Sequence, residues 1–223
     1  MTEQVQDLRV LYHRRFSQTA AYRNRVWQEL TDSFFSSWVR PDATVLDLGC
    51  GYGEFINNVR AGRKLAMDLN PDAPKHLAES VEFLEQDCAA DWPLPDQMLD
   101  VVFSSNFFEH LPDKICLQHT LQQAFRCLKP GGRLISVGPN IRYLAGAYWD
   151  FFDHHIPLSE ASLGEAIEIQ GFAIEKSVPR FLPYTLVNAP EYPIFLLKLY
   201  LLLPCIWWLK GRQFLVVAVR PTA

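Results

Sequence analysis

The sequence predicts an α/β fold: a mostly parallel sheet, doubly wound, with helices on both faces. Three observations predict it. Strand-like and helix-like segments alternate from residue 43 onward. The strand-like runs are short and apolar, as in a sheet buried on both sides. Turn residues and acids stand where those runs end, which is where such sheets bind ligands.

The elements follow in order. Residues 2–38 read as helical, with apolar residues at mixed three and four spacing and no glycine or proline. Pro41 and Asp42 interrupt this before "ATVLDL" (43–48), a buried strand. A helix starts over 53–61. "KLAMDL" (64–69) is a second strand, and "VEFLEQD" (81–87), after a short helix, is a third. "MLDVVFSS" (98–105) is a fourth. The amphipathic "KICLQHTLQQAFRCL" (114–128) is a helix stopped by Lys129-Pro130-Gly131-Gly132, and "RLISVGP" (133–139) is a fifth strand. A helix over 162–170 ends at Gly171, and strands at 172–181 and 213–221 complete the set. The expected organisation is an N-terminal helical extension (1–40) and one domain over 41–223, with an apolar insert at 182–212.

Composition narrows the function. Apolar residues at 49% and charged residues at 21% exclude a disordered chain. A net charge of −4 speaks against general attraction to nucleic-acid phosphate. The five cysteines are scattered with no C-x-x-C, which suggests reduced thiols in a cytoplasmic protein rather than disulfides or a zinc cluster. The polar opening "MTEQVQDLRV" does not read as a signal peptide.

The chemistry begins at "VLDLGCGYGEF" (45–55). Gly49-x-Gly51-x-Gly53 is a turn that lets backbone approach a ligand. A dinucleotide fingerprint needs its third glycine at position 54, which is Glu54, so a nicotinamide enzyme is disfavoured. Asp47 precedes the loop, Asp68 ends the second strand and Asp87 the third. An acid at the second position suits a ribose diol, since a carboxylate accepts from both hydroxyls. One at the third suits an adenine amine. Each acid taken singly could instead cap a turn.

Together "VLDLGCGYGEF", "LAMDLNP", "EQDCAA", "LDVVFSSNFFEHL" and "LKPGGRLISVGPN" resemble the successive motifs of class I S-adenosylmethionine-dependent methyltransferases, over roughly residues 40–180. The resemblance implies a Rossmann-like sheet of seven strands with the last antiparallel, and S-adenosylmethionine as cofactor. It implies that Asp47, Gly49, Gly51 and Gly53 surround the methionine part and that Asp68 takes the ribose. Leu69 would pack on the adenine, Asp87 and the Cys88 backbone would read its edge, and Asn106 and Phe107 would lie beside the methyl. The prolines of the Asn-Pro-Pro-Tyr motif are absent after Asn106, which weakens an amino-group acceptor.

For the acceptor, "GAYWDFFDHHIPLS" (146–159) is the unusual cluster. Trp149, Asp150 and Asp153 suit a polyhydroxylated, glycan-like substrate. A hydroxyl needs a base; His154, His155 and His110 are the candidates, with Glu109 beside His110. One of the adjacent histidines faces the site and the other packs; the sequence leaves open which. Asp153, His154 and His155 with His110 match no strong ligand spacing, so no metal is expected. Arg9, Arg14, Arg15, Arg23 and Arg25 form either a solvated helix face or a site for a phosphate-bearing substrate or anionic lipid.

"YPIFLLKLYLLLPCIWWLKG" (192–211) is interrupted by Lys198 and Pro204. A single crossing would put the flanking strands on opposite sides of a bilayer, so it is not a span. It is a buried insert, a dimer contact, or a peripheral contact with a membrane or lipid-linked substrate, with Trp207, Trp208 and Lys210 at its edge. Its surroundings resemble bacterial methyltransferases associated with cell-surface glycans. The expected function is methyl transfer to a hydroxyl of a glycan-like or lipid-linked acceptor. The alternatives are a small apolar or quinone-type acceptor, or a non-catalytic scaffold binding a partner through 182–212.

Overall fold

A computed structural model describes residues 20–184 and 190–222. Arg9, Arg14, Arg15 and part of the insert therefore lie outside the described residues. Seven strands, β1 (Thr44–Leu48), β2 (Arg63–Asp68), β3 (Val81–Glu85), β4 (Leu99–Ser105), β5 (Leu128–Pro139), β6 (Ala173–Val178) and β7 (Gln213–Val219), form one sheet. Their order is β3-β2-β1-β4-β5-β7-β6. The β1/β2, β2/β3 and β4/β5 pairs are parallel, and β7 runs antiparallel between β5 and β6. The helices are α1 (Ala20–Ser33), α2 (Glu54–Asn58), α3 (Lys114–Cys127), α4 (Ile141–Leu144), α5 (Glu160–Ile169), α6 (Ile194–Leu202) and α7 (Pro204–Lys210).

Burial explains the sequence pattern. Val45, Leu46 and Leu48 of β1 are wholly buried, as are Leu215, Val216 and Val217 of β7, so central strands read as continuous apolar runs. Edge strand β6 alternates exposed and half-buried residues instead. The chain forms two compact units: one holds β1–β3, α1, α2 and α6, the other β4–β7 and the remaining helices.

In the first unit α1 closes on the glycine loop's helix. Phe55 meets Phe35 and Trp27 edge-on at ring distances of 6.1 and 6.3 Å. The helix expected over 53–61 stops at Asn58, because Val59 is already extended. In the second unit Asp113 caps α3 by accepting from the backbone N–H groups of Ile115 and Cys116 at 2.9 and 2.8 Å. At the other end Arg220 donates to the carbonyls of Phe125, Arg126 and Leu128 at 2.8, 3.1 and 2.7 Å, satisfying acceptors a helix terminus leaves bare. Strand β5 begins at Leu128, earlier than the Pro-Gly-Gly run suggests. That run finds partners in the last strand's exit: Gly131 N–H donates to the Arg220 carbonyl at 2.8 Å and Arg220 N–H to Gly132 at 2.9 Å.

The apolar insert is two short helices, and no helix among the described residues is long and apolar enough to cross a membrane. In the first unit α6 packs on α1, burying Leu201 and pairing Lys198 with Glu29 at 3.3 Å. Phe195, Leu199 and Leu202, at the i, i+4, i+7 spacing of one helix stripe, stay exposed. In the second unit Trp207 of α7 is 6% exposed, edge-on to Phe181 at 5.1 Å, while neighbouring Trp208 is 65% exposed. Trp207→Ala is therefore expected to destabilise the protein by about 3–5 kcal/mol. Trp208→Ala should change stability by less than about 0.5 kcal/mol. Urea unfolding of both variants checks this; equal effects would contradict the assignment.

Candidate active site

The first unit supplies the glycine loop. Gly49, Gly51 and Gly53 have φ of +68°, +54° and +74°, the left-handed region closed to most side chains. At Gly53 a Cβ would also lie 2.3 Å from Leu77 Cδ2. The loop is pinned from β2. Gly49 N–H and Cys50 N–H donate to the Met67 carbonyl at 2.9 and 3.2 Å, and Gly51 N–H donates to Asp68 Oδ2 at 2.8 Å. Asp68 Oδ1 accepts from Asn70 N–H at 2.8 Å. A third backbone donor, Leu69, also bears on this carboxylate, and its four lone-pair sites still leave room for a ligand hydroxyl. The turn-capping role that an isolated acid could play is thus present in Asp68 without closing it to a ligand.

Asp47 is 3% exposed. Burial pushes its carboxyl well above the ordinary carboxylate range, and the negative charges of Glu54 and Asp68 push it further, against a backbone hydrogen bond from Ile56. Burial also raises Asp68, opposed by its backbone donors. Glu54 is held by Arg23 at 2.7 Å. This pair was missed in the sequence, where Arg23 counted only among the helix arginines. Acids that strain to stay ionised favour a cationic ligand, and a sulfonium with an ammonium beside it is one. These residues therefore fit S-adenosylmethionine. Leu69 is exposed at the end of β2. Asp87, two residues past β3, is exposed, and its carbonyl accepts from Gln86 Nε2 at 3.2 Å.

The second unit carries the rest. Cys88 is buried, its carbonyl accepting from Trp92 Nε1 at 2.9 Å and Thr120 Oγ1 at 3.2 Å. Asn106 follows β4 with φ +50°, a conformation asparagine tolerates, and its N–H donates to the Val137 carbonyl at 2.9 Å. Phe107 is half-buried against Phe108. Trp149 and Asp150 are exposed.

The structure separates the two adjacent histidines. His155 is exposed, and its N–H donates to the Glu109 carbonyl at 2.8 Å. His154 is buried, stacked on Phe151 at 5.2 Å and edge-on to Tyr148 and His110 at 4.7 and 4.9 Å. His110 Nδ1 lies 2.9 Å from the Asp153 carbonyl oxygen and 3.3 Å from its carboxylate. Glu109, 2% exposed, has its carboxyl pushed up to about 7 by burial, with His110 pulling it down and Asp153 raising it. Tyr148, wholly buried with its hydroxyl donating to the Ile156 carbonyl, was not singled out in the sequence; nothing distinguishes it there from other core aromatics.

Comparison with known proteins gives the family. A protein-family profile described as "Methyltransferase domain" matches residues 19–177, well over half of the chain. The chain is 29% identical over 136 residues to the 27-O-demethylrifamycin SV methyltransferase of Amycolatopsis mediterranei, covering 56% of this chain and 49% of that one. It is 29% identical over 165 residues to the ubiquinone/menaquinone biosynthesis C-methyltransferase UbiE of Enterobacter, covering 66% and 62%. The chain thus spans between about half and three fifths of the length of these curated relatives. A crystal structure of a SAM-dependent methyltransferase from Archaeoglobus fulgidus superposes with a TM-score of 0.64 at 21% identity over 88% of this chain and 94% of that one, a likeness of fold. The family and its relatives imply S-adenosylmethionine as the cofactor, and the chain belongs to the methyltransferase-domain family.

Proposed function

We propose that the protein transfers a methyl group from S-adenosylmethionine to a hydroxyl of a glycan-like or lipid-linked acceptor. The observation that carries the cofactor half is the pair of acids, buried Asp47 and half-buried Asp68, beside a loop of three left-handed glycines. When bound, the cofactor supplies a methyl already activated on a sulfonium. Asp68 then holds the ribose hydroxyls, and Asp47 stabilises positive charge at the methionine end. Leu69, Asp87 and the Cys88 backbone are assigned to the adenine, and Asn106 and Phe107 to the neighbourhood of the methyl.

The hydroxyl half rests on the proton-accepting groups after β4. A hydroxyl needs help losing its proton, whereas an amine does not. Glu109, His110, Asp153 and His154 lie together, while His155 stands apart at the surface. Trp149 and Asp150 are exposed where a polar acceptor could meet them. A relative named for an O-methylation supports this reading. The exposed stripe Phe195, Leu199 and Leu202 supports a lipid-linked acceptor at the cytoplasmic face of a membrane; a dimer contact is its competing use. The quinone-type reading draws on the UbiE relative and on the same apolar stripe.

The acceptor is tested by incubating the protein with radiolabelled S-adenosylmethionine and a fractionated bacterial lysate. Label should enter an alkali-stable ether in the lipid-extractable or glycan fraction. Label confined to protein or to free quinone would overturn the acceptor.

Two further outcomes test the cofactor site. Asp68→Ala removes charge-assisted hydrogen bonds of about 1.5–3 kcal/mol each. It should weaken S-adenosylmethionine binding at least about tenfold in calorimetry while the circular dichroism stays native. The second concerns pH. Because burial raises Asp47 and Asp68, both lose charge at a higher pH than ordinary carboxyls as acid is added. Binding a cation requires them ionised, so affinity should already fall on acidification between neutral pH and about pH 4, earlier than an ordinary carboxyl near 4 would dictate. Binding should also release protons, visible as buffer-dependent calorimetric heat. An affinity flat across that range would count against the assignment.

A further inference from the structure

The segment after β4 and the loop at residues 151–156 are tied by backbone. The Glu109 carbonyl accepts the N–H groups of both His155 and Ile156, at 2.8 and 3.2 Å. This brings the His154 ring beside that of His110, with Glu109 next in the chain. One potential ligand atom from each of Glu109, His110 and His154 lies within 4.8 Å of the others.

The tautomer of His110 follows from its contacts. A carbonyl oxygen can only accept, so Nδ1, 2.9 Å from that of Asp153, carries the proton, which in the neutral ring puts the lone pair on Nε2. A ring nitrogen donating to a carbonyl or carboxylate is the arrangement that orients a metal-ligating histidine. The Glu109 carboxylate is buried, and no Lys or Arg ion pair reaches it among the described residues. His154 is gripped between aromatic rings, which fixes its plane. Two imidazoles and one carboxylate are a donor set for zinc-like dications with room for a further ligand. Tetrahedral ligands at about 2.0–2.2 Å from one ion lie about 3.4 Å apart, so the present spacing must close by up to about 1.4 Å, a shift for the Glu109 and His110 side chains to make.

We propose that Glu109, His110 and His154 bind one divalent transition-metal ion, with Asp153 as the residue that positions His110. This departs from the ligand set considered in the sequence: His155 is outside it, Asp153 acts through His110, and Glu109 enters. Resting on the hydroxyl-acceptor reading, the ion's part is to take the acceptor's oxygen in its open position and favour loss of the hydroxyl proton to water. A bound zinc does the same to water, lowering its pKa from about 15.7 to about 7. The oxygen then forms its bond to the methyl as the methyl–sulfur bond breaks.

The test uses Co²⁺ as the probe on the full chain freed of metal with a chelator. One equivalent should bind at neutral pH, with visible absorption of a four- or five-coordinate ion. Glu109→Gln and His110→Gln should each weaken Co²⁺ binding by at least about 100-fold. His155→Gln should leave it unchanged. His110 is only half-buried, so its variant keeps the test valid if Glu109→Gln fails to fold. S-adenosylmethionine affinity is measured on the same samples. Intact cofactor binding with no Co²⁺ uptake, or uptake that both ligand variants leave unchanged, overturns the metal site and leaves the methyltransferase reading standing. Loss of cofactor binding in the unmodified protein would instead sink that reading, with Co²⁺ binding still judged by its spectrum.

Discussion

A carboxylate lies in the curl of the glycine loop, and much of the first unit depends on that contact. Gly49 and Gly53 spend their N–H groups on the Met67 and Cys50 carbonyls, and that of Gly51 is left to meet an anion. Here Asp68 reaches in from β2 and accepts from Gly51. The loop's anion requirement is met internally. A pyrophosphate would meet an existing negative charge, and a cation would meet a welcome. The absence of glycine at position 54 and the presence of Asp68 thus describe the same preference from two sides.

Much of this was legible in the sequence because the signals are local. A buried parallel strand is a short apolar run, and each of the seven expected strands lies within a few residues of its observed bounds. What the sequence did not disclose was set by distant partners. Strand β5 starts early because Gly131 and Gly132 pair with Arg220, some ninety positions away. Trp207 and Trp208 are neighbours in one apolar segment, yet only the first meets Phe181. No periodicity could separate them.

The same division holds at the site. The left-handed glycine turn, with Asp47 before it and Asp68 ending the next strand, was readable because these features lie within twenty-odd residues of chain. The Arg23–Glu54 pair was not, since a helical arginine has no mark that singles out its partner. Glu109 was readable as a candidate base beside His110 or as part of a cap on the following turn, but not as a buried group. Its burial depends on the loop hung from its own carbonyl, and hydrogen bonds from residues 155 and 156 to a backbone oxygen leave no trace in side-chain identity.

The position of β7 has a consequence for how the molecule comes into being. It is the last strand in the chain, yet it lies between β5 and β6. On a ribosome, β5 and β6 emerge first with no shared edge, and each exposes unpaired backbone until β7 arrives. Arg220, just past β7, then supplies the bonds that close the end of α3. The second unit therefore cannot mature vectorially, strand by strand; its assembly waits for a late insertion between two earlier segments. Closing such non-local pairings is slow, because the entropy of a long loop is lost before the contacts return it. A nascent chain paused before residue 213 would carry two open sheet edges, the kind of surface that chaperones shield.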